Sequence, residues 1–228
     1  MMNDEGASVS SSQERGLDRI LALSDGIFAF AITLLVLGLT VPSITESGLS
    51  QIALNSKLLE SLGTETTAFY SYGISFVVIA IWWVAHHRIF QYIKKYDQAL
   101  MWRNLLFLLF VTIIPFLTQL MNDYGNVGVA VIIYDASQFV GGFALAGIWK
   151  HASDNHLLIN KSLSEDQIKS MQFRNYVPSI IFLAALVIAV LFSFSYQALG
   201  IPPAFANFAL FGIAPMMRLS ARKSKSSI

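Results

Sequence analysis

Six runs of mostly apolar residues divide the chain, each near the roughly 20 residues that a membrane-spanning helix needs. They cover Ile20–Val41, Thr67–His86, Asn104–Met121, Val127–Trp149, Tyr176–Phe194 and Ile201–Met217. The last is shorter and is interrupted by Pro202, Pro203 and Pro215. Nineteen polar-leaning residues precede the first run, with Asp4, Glu5, Glu14, Asp18 and a serine cluster at Ser8 and Ser10–Ser12. This stretch lacks the apolar core of a cleaved signal peptide and reads as a disordered tail over residues 1–14. The pattern predicts an all-α membrane protein: a six-helix domain over 15–217, then a basic tail over 218–228.

Composition agrees with that pattern. Of 228 residues, 55% are hydrophobic and only 13% charged, against roughly 25% charged in an ordinary soluble domain. Mean hydropathy is +0.58. A net charge of +1 excludes the strong basic balance of a nucleic-acid binder. The chain has no cysteine, which removes disulfides, thiolate metal sites and cysteine nucleophiles. Four histidines leave little material for a metal centre. No nucleophile–base pair stands out, so an enzyme is not predicted, and neither a metal nor another cofactor is implied.

Charge placement gives the orientation. Lys and Arg concentrate on the cytoplasmic side of membrane proteins. Arg15 and Arg19 precede the first span, and Arg88, Lys94, Lys95 and Arg103 separate the second from the third. Lys150, Lys161, Lys169 and Arg174 separate the fourth from the fifth, and Arg218, Arg222, Lys223 and Lys225 follow the sixth. Of the fifteen basic residues only Lys57 falls on the other side. Both termini are therefore expected in the cytoplasm. The longest outer segment, Pro42–Thr66, carries an amphipathic stretch over Leu49–Leu62. Trp82, Trp83, Trp102 and Trp149 are expected as interfacial anchors near the cytoplasmic span ends.

The first span holds the most chemical information. With about 100° per residue, Leu23, Leu34, Leu37 and Val41 project within about 40° of Phe30, and Thr33 lies at the edge of this stripe. Ser24 and Asp25 project elsewhere. An apolar stripe in a membrane ordinarily packs against a neighbour or faces lipid. An ionisable side chain within a span instead seeks protein or water, so Asp25 calls for a partner inside the bundle.

The run from Arg19 through Leu23-Ser24-Asp25-Gly26-Ile27-Phe28-Ala29-Phe30-Ala31-Ile32-Thr33-Leu34-Leu35-Val36-Leu37 resembles the first-helix signature of the transmembrane protein 175 potassium channel family. Trp83-Val84-Ala85-His86-His87-Arg88-Ile89-Phe90 is similar to the end of that family's second helix, and Asn104 with Pro115-Phe116 to its third. The resemblance implies a potassium-permeable cation channel of the bacterial six-helix type. Such a channel sits multi-pass in the plasma (inner) membrane, surrounded by lipid, and assembles as a homotetramer. Four copies of the first helix line its central pore. It implies an apolar constriction at Phe30, Leu34 and Leu37, with Thr33 beside them as a weak selectivity contact. It also implies that Ser24-Asp25 ties the first helix to the second and third. Two positions depart from the family pattern: Leu23 replaces its Phe, and Phe30 replaces the usual Ile or Leu.

Several features stay open from the sequence. Thr33 has two readings, a cation contact or a hydroxyl bonded to its own helix. No Thr-Val-Gly-Tyr-Gly filter is present; the nearest fragment, Tyr70-Ser71-Tyr72-Gly73-Ile74, lies inside an apolar span. His86 and His87 diverge by about 100° on a helix and cannot share a metal. One of them is expected to pair with Asp25, with Arg19 in support, while the other caps its helix. Asp135 lies inside the fourth span, as a relay carboxylate or bonded to Tyr134, Ser137 or a neighbouring helix. The alternative function is a secondary transporter or proton-leak protein using Asp25 and Asp135. Transporters often carry internal repeats, and the two halves of this chain show none.

Overall fold

The computed structural model describes residues 2–160 and 162–199. Six α-helices follow one another: α1 (Met2–Leu35), α2 (Gln51–Thr64), α3 (Thr66–Phe90), α4 (Gln98–Tyr124), α5 (Gly128–Ser153) and α6 (Glu165–Leu199). Among the described residues five segments are long and apolar enough to span a membrane: Gln13–Gly38, Thr66–Phe90, Gln98–Tyr124, Gly128–His156 and Glu165–Ser193. They match the first five runs of the sequence. The sixth run, Ile201–Met217, and the basic tail lie outside the described residues.

Helices α3, α4 and α6 extend past both ends of their apolar windows, because helix ends follow caps and breakers rather than hydropathy. Asp97 starts α4 six residues before Asn104: its Oδ1 accepts the Leu100 amide at 2.7 Å. His151 Nε2 donates to the same carboxylate at 2.9 Å, which clips the end of α5 to the start of α4. Partial burial pushes the Asp97 pKa up, but the Leu100 and Ala99 amides and His151 outweigh it and hold the carboxyl below its usual range. At the other end of the chain, α1 begins at Met2, ahead of the tail boundary at residue 14. No proline interrupts that polar stretch, and propagating an existing helix is far easier than nucleating one.

The first span also ends differently from its projection. The α-helix stops at Leu35 and tightens into a 3-10 turn over Val36–Gly38. Leu39 is extended (φ −89°, ψ 116°), and Pro42 keeps the residues before it out of the helical region. Val41 thus lies beyond the helix and does not continue its ladder.

α1 packs against α3 and α4, α4 packs on α5, and α5 on α6. The core these contacts enclose is built from Phe28, Trp82, Phe107, Tyr134, Trp149 and Phe182, all at most 2% exposed. Trp82 and Trp149 are therefore core residues, not interfacial anchors. Trp82 stacks on Phe182 at 6.0 Å and donates to Gln138 Oε1 at 3.0 Å. The indole of Trp149 donates to the Ile168 carbonyl at 3.3 Å. Both N–H groups find partners inside the bundle, so neither ring needs the wet interface. Trp102 and Trp83 are exposed. Close approach of α5 to its neighbours depends on Gly142, where a Cβ would sit 2.7 Å from the Trp82 ring.

The segment between α1 and α3 contributes nothing to this core. α2 has no buried residue, and the amphipathic stretch over Leu49–Leu62 leaves Ile52 and Leu59 exposed. Ser50 caps it through the Ala53 amide, and Lys57 pairs with Glu46.

Candidate functional site: the two faces of the first helix

One side of α1 is sealed into the bundle. Ile20, Ser24, Phe28, Ala31 and Leu35 follow helical spacing and are at most 9% exposed. Their opposite face is open: Leu23, Phe30 and Leu37 are 50%, 64% and 74% exposed, Thr33 is exposed and Leu34 is half-buried. The stripe expected around Phe30 is thus the side of the helix that no other part of the chain covers among the described residues.

Thr33 Oγ1 donates to the Phe30 carbonyl at 2.9 Å. A hydroxyl has one proton and two lone pairs. Spending the proton on the helix leaves an oxygen with only acceptor capacity, on the open face. The reading of Thr33 as a hydroxyl bonded to its own helix is thus met, and the same oxygen keeps a lone pair for a further contact.

On the sealed face, Ser24 Oγ donates to the Ile20 carbonyl at 2.8 Å and accepts from Asn104 Nδ2 at 3.0 Å. Asn104 Oδ1 then receives His86 Nε2 at 2.8 Å. All three side chains are buried, at 0–1% exposure, and they join α1, α4 and α3 in one chain of hydrogen bonds. Aromatic rings wall it in. His86 stacks on Phe90 at 4.3 Å and lies 5.7 Å from Phe28 and 5.8 Å from Phe107.

Asp25 does not meet a histidine. It is exposed, and its Oδ1 accepts from Trp83 Nε1 at 2.9 Å. His87 is also exposed and stacks on the same Trp83 at 5.5 Å. Arg19 is exposed as well. The physical reason is helical spacing: Ser24 and Asp25 are adjacent and so diverge by about 100°. Ser24 takes the inward direction, and Asp25 is left beside α3, where the Trp83 N–H is the donor within reach. Sequence reasoning missed the roles of Asn104 and Trp83. The signal for Asn104 was available, since a carboxamide in an apolar span needs a partner for the same reason as Asp25.

Asp135 is completely buried, and among the described residues neither of its oxygens has a hydrogen-bond partner. The Tyr134 hydroxyl lies 3.2 Å from Ser75 Oγ instead, so the expected bond to Tyr134 is not formed.

A closed stack of apolar helices, one of which presents a bare apolar face, defines a multi-pass α-helical membrane protein. Residues 19–115, which run from α1 into α4, match the family model described as the endosomal/lysosomal potassium channel TMEM175. A protein of Streptomyces collinus named a potassium channel is 32% identical over 160 residues, covering 68% of this chain and 74% of that one. A potassium channel of Chamaesiphon minutus is 31% identical over 166 residues, covering 72% and 79%. The crystal structure of a lysosomal potassium-selective channel TMEM175 homolog from Chamaesiphon minutus superposes with a TM-score of 0.70 at 26% identity. It covers 89% of this chain and 98% of its own. The chain belongs to the TMEM175 family, a family of ion channels and not of enzymes.

Proposed function

We propose that this protein is a potassium-permeable cation channel of a bacterial inner membrane. It assembles as a homotetramer around four copies of α1, with both termini in the cytoplasm. Phe30, Leu34 and Leu37 form a hydrophobic constriction, and no carbonyl filter is used. The observation that carries this reading is the bare stripe of α1, whose opposite face is tied down by Ser24. A helix fixed on one side and uncovered on the other is what a central, symmetric pore requires. The relatives named potassium channels add the ion. Flux of potassium, sodium and protons into liposomes holding the full chain tests it: potassium entry is expected, and its absence refutes the reading.

Selectivity is assigned to Thr33 and is modest. Exchanging a water contact for a hydroxyl contact nets about 0.5–1.5 kcal/mol, or roughly a two- to tenfold preference. Thr33→Val keeps the shape and removes the oxygen. The reversal potential under opposed potassium and sodium gradients is expected to move toward the non-selective value. An unchanged potential with persisting current assigns selectivity to another group.

A transporter or proton-leak mechanism through Asp135 makes the opposite demand on its carboxylate. A buried carboxylate without a partner is a cost to the fold, not a support. Asp135→Asn is therefore expected to keep wild-type potassium flux with an equal or higher melting temperature. Loss of proton flux in this variant, with assembly intact, favours the relay reading instead.

A further inference from the structure

The basic end of the bundle holds a second feature, independent of which ion passes along α1. Where α3 ends, α5 ends and α6 begins, a cavity of about 230 Å³ is lined by Tyr92, Trp149, Gln167, Ser170, Met171 and Arg174. This is below the roughly 300–1,000 Å³ of drug-sized ligand sites, and it suits a small headgroup.

The charge inside it is unbalanced. Arg174 Nε is buried and has no hydrogen-bond partner among the described residues. Arg88, on α3, lies close enough to feel its charge, and its own Nε is also unpartnered. Its one hydrogen bond among the described residues is neutral, Nη2 to Asn175 Oδ1 at 3.2 Å. Among the described residues the ion pairs are Lys57–Glu46, His151–Asp97 and His156–Glu165, so neither arginine has a carboxylate. Two neighbouring guanidinium groups with spare donors and no counter-ion repel each other, and an anion between helices removes both costs.

The rest of the lining narrows the anion. Ser170, Tyr92 and Gln167 bring hydroxyl and amide groups of the kind that bond phosphoryl oxygens. Gln167 Oε1 is already taken by the Ser164 amide at 3.0 Å, which leaves its NH₂ to donate. Trp149 and Met171 present apolar wall for carbon. The wall is also held in place: the Tyr92 carbonyl accepts the Asn160 amide at 3.2 Å, and the Lys94 amide donates to the Leu158 carbonyl at 2.8 Å. These bonds strap the α3–α4 connection to the α5–α6 connection. A guanidinium fork with hydroxyl donors is suited to phosphate, and basic pockets between helices at the membrane surface take phospholipid headgroups. We propose that the cavity at Arg174, with Arg88 behind it, is a binding site for a phosphate group, carried by an anionic phospholipid headgroup or by free phosphate.

The test uses the purified full chain in neutral detergent, titrated with dioctanoyl phosphatidylglycerol, dioctanoyl phosphatidylcholine or inorganic phosphate, with melting temperature as readout. A saturable rise with phosphatidylglycerol and none with phosphatidylcholine is expected. Arg174→Gln is expected to weaken the apparent affinity about tenfold or more, while Lys169→Gln, an exposed charge on the same helix, leaves it unchanged. Arg174→Lys, which keeps charge but not the fork, is expected to fall between; it serves if the glutamine variant does not fold. A rise with inorganic phosphate that shows the same Arg174 dependence supports the site with a soluble source. The proposal is overturned if no anion raises the melting temperature, or if Lys169→Gln weakens binding as much as Arg174→Gln.

Discussion

Replacing Phe30 or Leu37 by Asn is expected to raise resting potassium flux about tenfold or more, whereas Leu35→Asn is expected to lower stability and leave no leak. The three sites lie within eight residues of α1 and its terminal turn, yet their surroundings differ completely. Phe30 and Leu37 are 64% and 74% exposed, and Leu35 is 3% exposed against the bundle. In the proposed pore, four apolar side chains meet at each level and expel water when closed. Each buried apolar side chain contributes about 1.5–3 kcal/mol to that closed state. Losing even 1.4 kcal/mol shifts closed against open tenfold, and a ring of four changes together. Leu35→Asn instead buries an amide with no partner, and its effect falls on the fold. Flux from reconstituted variants and melting temperatures in detergent separate the two faces. Equal flux from all three removes α1 as the pore lining.

Asn104→Ala is expected to be the most destabilising single change in the chain's polar interior, by about 2–4 kcal/mol. Asn104 donates to Ser24 on α1 and accepts from His86 on α3, and all three are buried. Its removal orphans two groups at once. An orphaned buried donor or acceptor costs about 1–3 kcal/mol, although hydrogen bonds between membrane helices average nearer 0.6 kcal/mol, because the separated helices find other partners. Here the aromatic rings of Phe28, Phe90 and Phe107 crowd His86 and hold it in place, so the larger estimate applies. The measurement is melting temperature and the yield of assembled protein, with Asp25→Asn alongside. Asn keeps an oxygen for Trp83, and Asp25 is exposed, so Asp25→Asn is expected to assemble normally. An Asn104→Ala protein as stable as the wild type, or an Asp25→Asn protein that fails to assemble, contradicts this division of labour.

The five described spans were legible in the chain because a membrane admits few alternatives: backbone polar groups must be satisfied within each apolar run. Their ends were not legible in hydropathy. Asp97 starts α4 early through a side-chain cap, and Gly38 and Pro42 bound the turn that ends the first span before Val41. The open stripe of α1 was also readable, since Phe30, Thr33, Leu34 and Leu37 share a face by spacing alone, and the family resemblance rested on the same residues.

What spacing does not encode is the partner on another helix. Asp25 and a histidine were natural partners by charge, yet Asp25 receives the Trp83 N–H and His86 donates to Asn104. The tryptophans divided in the same way: Trp82 and Trp149 are enclosed where Gln138 and the Ile168 carbonyl satisfy their N–H groups, while Trp83 and Trp102 stay outside. One helix determines, from its own sequence, which of its faces is apolar and which residues leave it in the same direction. Which donor stands opposite a given acceptor depends on the rotation and height of a second helix, and these follow from the packing of the whole bundle. The placing of Arg174 in a cavity wall, with Arg88 bonded to the neighbouring Asn175, belongs to that second kind of information. The two arginines are 86 positions apart, and only the fold brings Arg88 of α3 against Asn175, the residue after Arg174 on α6.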